Sequence, residues 1–202
     1  MKLFHAPASP FARKVRVLII ELGITDQVEL VVLDGVTPVA NHRELNAHNP
    51  LGMIPVLECE DGSNLYDSPV ICEYLNHLHH GTLFPTDTAP RFHALQLQAL
   101  ADGIMDLSVA LRYELAMRPP AFQWADWIAH QQAKVNRGLD TLEQQAERFQ
   151  TEPTIGELAV ACALGYRDFR FSELDWRIGR PMLASWYQRI LRRTSLATTI
   201  PA

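Results

Sequence analysis

The 202-residue sequence predicts an α/β N-terminal half followed by an all-helical C-terminal half. Three observations carry that reading. Four short β-rich runs, at 2–5, 27–33, 55–60 and 63–66, all fall in the first third of the chain. Beyond residue 90 apolar residues keep helical spacing and no run reads as a strand. Between the two, residues 79–89 gather two histidines, a glycine, a proline and three threonines, the composition of a linker. The expected domains are therefore 1–79 and 90–202, joined by 80–89.

Taken in order, the first strand leads to a helix over Pro10–Leu22. Ser9 and Pro10 supply its N-cap and first-turn residues, and Val15, Leu18, Ile19 and Leu22 share a face. Gly23 ends it. The run at 27–33 then requires a right-handed parallel crossover. Residues 34–53 are irregular, with a helical turn near Arg43 to Ala47. The next two strands pair as a hairpin across Asp61-Gly62. A helix over 68–78 covers the sheet, completing a βαβ–ββα order.

In the second half, Leu97, Leu100, Ile104, Leu107, Leu111 and Leu115 mark one long helix that Pro119-Pro120 stops. Trp127, Ile128, Val135, Leu142 and Phe149 mark another. Thr154 and Glu157 form a capping box ahead of an apolar helix, and Pro181 to Leu191 reads as the last helix before a tail.

Composition narrows the function classes. Hydrophobic residues make up 48% and charged residues 20%, as in ordinary globular domains. A net charge of −5 without a basic block argues against duplex nucleic acid as a ligand. The longest candidate membrane segment, Val15 to Leu22, is interrupted by Arg16 and Glu21, so no membrane partner is expected. The N-terminus carries no signal-peptide pattern. Cys59, Cys72 and Cys162 are widely spaced and odd in number, which fits a reducing cytoplasm and excludes a redox Cys-x-x-Cys motif.

Two stretches point to chemistry. In Asn49-Pro50-Leu51-Gly52-Met53-Ile54-Pro55-Val56-Leu57, a tight turn delivers an Ile-Pro bond to a strand. A cis bond there turns the Ile54 N–H and C=O outward, toward an extended peptide. In Tyr66-Asp67-Ser68-Pro69, an acid and a hydroxyl sit where a strand gives way to a helix, whose N-terminus favours a carboxylate. Asp67 can hold an ammonium. Each of these features also has a plain structural reading: Pro55 as the start of an edge strand, Asp67 and Ser68 as a helix cap. Ser9 has the same two readings, a helix cap or a hydroxyl donating to an anion. His77, His79 and His80 straddle a helix end and read as solvated rather than metal-binding. His42 and His48 lie near enough to the peptide site to meet a carboxylate.

The chain resembles the glutathione S-transferase family. The resemblance runs through Met1–Phe4, Ser9-Pro10-Phe11-Ala12-Arg13-Lys14-Val15-Arg16, Ile54-Pro55-Val56-Leu57, Asp67-Ser68 and Thr154-Ile155-Gly156-Glu157. It implies a thioredoxin-like N-terminal domain, an all-α C-terminal domain, and a homodimer. By the same resemblance glutathione lies along Ile54 and Pro55. Ser68 holds its γ-glutamyl carboxylate and Asp67 helps hold its ammonium. Asp102 lies near a helical position that in dimeric relatives reaches the partner subunit's glutathione, and it reads equally as a helix-face acid in solvent or at the dimer interface. Ser9 stabilises the thiolate, which attacks a small hydrophobic electrophile. Read from the residues themselves, Phe11, Met105, Tyr113 and Tyr166 are either walls of the second pocket for that electrophile or core residues at helical spacing. Glutathione is a co-substrate, and no metal or cofactor is required. An isomerase, peroxidase or dehalogenase on the same scaffold, or a non-catalytic regulator, are the alternatives. Where related folds carry a cysteine before the Pro-Phe dipeptide, this chain has Ser9, which disfavours disulfide chemistry.

Overall fold

In the computed structural model, which describes residues 1–40 and 42–201, a four-stranded sheet occupies the N-terminal half. Its strands are β1 (Lys2–His5), β2 (Glu29–Val32), β3 (Val56–Glu58) and β4 (Asn64–Leu65), in the order β2-β1-β3-β4. Helix α1 (Pro10–Glu21) carries the chain from β1 to a parallel β2. The other two pairings are antiparallel, with Leu3 opposite Leu57, Phe4 opposite Val56 and Leu57 opposite Leu65.

Strand alternation divides the apolar residues between two faces. Leu3 and Leu57 enter the main core beside Val15 and Leu18 of α1 and beside Ile71 and Leu75 of α3 (Ser68–Leu78). Phe4 and Val56 point the other way, into a small cluster with Leu33 and Leu45. Leu45 belongs to α2 (Arg43–His48), six residues that are too short to hold helical form alone. Its burial and the stacking of the His48 ring on Phe4, 4.3 Å between centroids, keep it on the sheet.

The second half is helical: α4 (Thr88–Ala116), α5 (Ala125–Gln145), α6 (Ile155–Arg170), α7 (Pro181–Ile190) and α8 (Thr194–Ala197). Helix α6 is buried without interruption from Ile155 to Arg167. The capping box starts it, Gly156 N donating to the Thr154 hydroxyl at 3.2 Å and Thr154 N to Glu157 at 2.9 Å. Gly156 also sets how closely α4 approaches, since a Cβ there would lie 2.7 Å from the Ala94 carbonyl oxygen.

Several boundaries differ from the sequence expectation. Residues Thr25–Gln27 form a 3-10 turn, so β2 starts at Glu29 rather than 27. The strand expected from 55 begins at Val56. The residues read as a tail contain α8. The longest apolar candidate is α4 rather than Val15 to Leu22: by length and composition alone α4 is apolar enough to cross a bilayer. It packs instead against α5 and α6, with Ala94, Leu97, Ala101, Ile104 and Leu111 buried.

Helix α1 joins the halves through polar side chains on its inner face. Lys14, fully buried, donates to both Asp102 oxygens at 2.6 and 2.7 Å. Arg13 donates to the Leu196 carbonyl at 3.1 Å and the Thr199 hydroxyl at 3.4 Å. Glu21 accepts two bonds from Arg193, at 3.0 and 2.8 Å, and another from Ser195. Burial pushes the Glu21 carboxyl upward, but the Arg193 and Ser195 bonds outweigh it and hold the group below its ordinary value of 4.5.

Candidate functional site

A cleft of about 790 Å³ opens between the N-terminal loops and the helices of the second half. Ser9 stands on its wall at the start of α1. A turn closed by Ser9 N donating to the Ala6 carbonyl at 3.0 Å sets its backbone. The residue is the N-cap: its Oγ accepts from Ala12 N at 3.2 Å. An N-cap oxygen that accepts in this way keeps its hydroxyl hydrogen for another acceptor. The plain and the chemical readings of Ser9 are thus compatible in one conformer.

The opposite lip is the loop 50–54, whose shape Asn49 sets. Asn49, 3% exposed, accepts from Leu51 N at 3.0 Å and donates to the Met53 carbonyl at 2.8 Å. Gly52 adopts φ +60°, a left-handed turn conformation that glycine tolerates, and its N–H closes on the Asn49 carbonyl at 2.8 Å. The loop ends in a cis Ile54–Pro55 bond. Among the described residues the Ile54 N–H and C=O make no hydrogen bond, and Ile54 lines the cleft while Pro55 is buried behind it.

Asp67 and Ser68 begin α3. Asp67, not Ser68, is the N-cap, and its side chain makes no capping bond. The Ser68 hydroxyl is buried with no hydrogen-bond partner in the structure. Ser68 is therefore not the cap of α3, and its hydroxyl remains available at the start of that helix. Asp67 acts electrostatically on Asp102 and on Asp106 of α4. Burial raises both of the latter above their ordinary value. For Asp102, Lys14 pulls downward and Asp67 adds to the rise. Asp67, Asp102 and Asp106 thus influence one another electrostatically, with Lys14 offsetting part of that negative charge. Both Asp102 oxygens are engaged by Lys14 of its own chain, so Asp102 contributes charge rather than a free acceptor.

Of the expected second-pocket residues, Phe11, Tyr113 and Tyr166 line the cleft. Met105 does not. It is completely buried on the core side of α4, because the helix turns that position toward the buried cluster around α6. The cleft also holds Arg112 and Arg170, neither of which the sequence reading singled out. Burial raises the Tyr166 phenol, with the Arg170 and Arg112 charges pulling the other way and Tyr113 adding to the rise. Tyr166 is therefore a protonated donor at neutral pH.

His42 and His48 are already engaged, His42 with the Asp34 carbonyl at 2.7 Å and His48 with Asn64 Oδ1 at 3.0 Å. Among the described residues no three His, Cys, Asp or Glu side chains converge as metal ligands. Cys59, Cys72 and Cys162 are buried free thiols, and burial pushes Cys72 up to about 12.

Residues 8–78 match the glutathione S-transferase N-terminal domain and residues 125–189 the C-terminal domain. The chain belongs to the glutathione S-transferase family. It is 36% identical over its whole length to the uncharacterized GST-like protein YibF of Escherichia coli K12, covering 98% of that protein. A Pseudomonas fluorescens Pf-5 glutathione transferase family member solved with bound glutathione superposes with a TM-score of 0.96, at 46% identity, covering 100% of this chain and 98% of the other. A structure from the same organism with bound S-(propanoic acid)-glutathione gives 0.92 at 45% identity, each chain covered fully. The mixed sheet followed by α4–α8 is the transferase architecture, a thioredoxin-like domain ahead of an all-α domain. Within that family frame, Asn49 was findable from its Asn-Pro-x-Gly turn chemistry, whereas Lys14, Arg112 and Arg170 carry no local signal.

Proposed function

We propose that the protein is an active glutathione transferase that presents the glutathione thiolate to a small electrophile in the cleft. The observation that carries this is Ser9, an N-cap whose hydroxyl hydrogen is available at the wall of a cleft also lined by the unpartnered Ile54 backbone. Glutathione extends along Ile54, its γ-glutamyl carboxylate on the orphaned Ser68 hydroxyl and the α3 N-terminus. Its ammonium sits in the field of Asp67, Asp102 and Asp106. The relatives solved with glutathione and with a glutathione thioether support this reading. The cleft volume of about 790 Å³ lies within the usual range for ligand sites.

The chemistry asked of Ser9 is modest. A free thiol has a pKa of about 8.5, so lowering it by about two units takes roughly 2.7 kcal/mol of selective thiolate stabilisation. One hydroxyl bond to a charged sulfur plus the α1 N-terminus supplies that order of magnitude. Phe11, Tyr113 and Tyr166 then form the electrophile side. We further propose a homodimer, tested by sedimentation at micromolar concentration, and a cytoplasmic location consistent with three buried free thiols. Calorimetric binding of glutathione, followed by conjugation of 1-chloro-2,4-dinitrobenzene, tests the activity. Glutathione binding with turnover supports a transferase; binding without turnover across an electrophile panel favours a regulator.

A further inference from the structure

Electrophile pockets of this kind need only be apolar, yet this one carries two cations and no anion. Arg112 of α4 and Arg170 of α6 both line the cleft, and no Asp or Glu stands on its described wall. Elsewhere in the molecule Arg91, Arg118, Arg177, Arg180 and Arg193 each hold a carboxylate, while the buried Arg13 and Arg167 bond neutral oxygens instead. Arg112 makes no ion pair or hydrogen bond to any described residue. Arg170 has a buried Nε with no hydrogen-bond partner, and its guanidinium lies over the Phe169 ring, 3.9 Å from the centroid. Arg112, Tyr166 and Arg170 line the same cleft, and both charges act on the Tyr166 phenol, which Arg170 also hydrogen-bonds. Half-buried guanidinium groups without a counter-ion are costly, and a planar carboxylate is the partner their geometry matches.

We infer that Arg112 and Arg170 select an electrophile bearing a carboxylate, with Tyr166 as a third donor to it. This rests on the glutathione reading above and names the substrate class that reading leaves open. An α,β-unsaturated carboxylate fits the site. The thiolate sulfur forms a bond to the β-carbon, and the C=C π pair shifts to the α-carbon and carboxyl. The α-carbon then takes a proton from solvent, so no leaving group departs. Charge grows on the carboxyl as the bond forms, and two guanidinium groups stabilise that charge more in the transition state than in the ground state. They also offset the repulsion between an anionic substrate and an anionic nucleophile.

Two isosteric conjugates separate this inference from its foundation. S-(carboxymethyl)glutathione and S-(carbamoylmethyl)glutathione differ by one charge, and neither has a thiol, so thiolate stabilisation contributes nothing to their difference. Calorimetry on the intact protein is expected to give at least about 10-fold tighter binding of the carboxymethyl conjugate, the low end for hydrogen bonds to charged groups. That ratio should fall toward one in Arg112→Gln and in Arg170→Gln, and recover in part in Arg112→Lys, which keeps charge without the planar fork. Equal affinity for the two conjugates in the parent protein overturns the inference while leaving the glutathione reading intact. A preference that persists in both glutamine variants also overturns it. Failure of glutathione and both conjugates to bind defeats the glutathione reading and this one with it.

Discussion

The two sides of the cleft are built by different means. The N-terminal side is made of chain ends and turns: Ser9 capping α1, Asn49 and Gly52 shaping the loop to Ile54, Asp67 and Ser68 opening α3. What it offers is largely backbone polarity and small hydroxyls, held by bonds a few residues long. The C-terminal side is made of helix faces, where Tyr113 and Arg112 of α4 meet Tyr166 and Arg170 of α6. Those side chains converge because α4 packs against α6. A site of the first kind keeps one ligand type as long as its turns survive. A site of the second kind changes its substrate with single substitutions that leave the fold alone.

The link between the sides is α1, and cutting it gives the largest expected effect. Asp102→Ala strands the fully buried Lys14 ammonium, and breaking a buried pair in this way costs about 3–5 kcal/mol. Chemical denaturation measures it. A loss under about 1 kcal/mol would show that the halves are not coupled through this pair.

Within α4 the contrast is between core and cleft. Met105→Ala is expected to lower stability by about 2–5 kcal/mol, the cost of deleting a buried Met side chain. Activity per folded molecule should not change. A shift in electrophile preference with Met105→Ala would return that residue to the pocket wall.

On the N-terminal side, Asp67→Ala and Ser68→Ala are each expected to weaken glutathione binding by about 1.5–3 kcal/mol, read by calorimetry, with little effect on turnover at saturation. Unchanged affinity in both would reduce this corner to a helix start. Acidification gives the smallest effect. Glu21 titrates below its ordinary 4.5 in the folded chain, so its tie to Arg193 is fully present above that pH and is lost as pH falls through the folded value. Arg193→Leu should flatten the acid limb of stability against pH between the two values.

Legibility in the sequence follows the same division. Ser9-Pro10, Asp61-Gly62 and Thr154 with Glu157 act within a few residues, and their roles as cap, turn and capping box were readable directly. Met105 and Tyr113 share a helix and an apolar pattern, and nothing local tells which faces α6 and which faces the cleft. Asp102 meets Lys14 across 88 positions, a pairing no spacing rule reaches. Helix α8 spans Thr194–Ala197, four residues with no periodicity, and is fixed by Arg13 reaching the Leu196 carbonyl. The parts of the site that depend on helix packing were therefore the parts the sequence left open, Arg112 and Arg170 above all.

Ultraviolet titration of the thiolate in the glutathione complex, compared between the parent protein and Ser9→Ala, tests the central claim most directly. The account predicts a bound thiol whose pKa lies well below the free value of about 8.5, rising in Ser9→Ala, with conjugation slowed about 10- to 100-fold and affinity changed less. A Ser9→Ala protein that titrates and turns over like the parent would contradict it, leaving Ser9 as a helix cap alone.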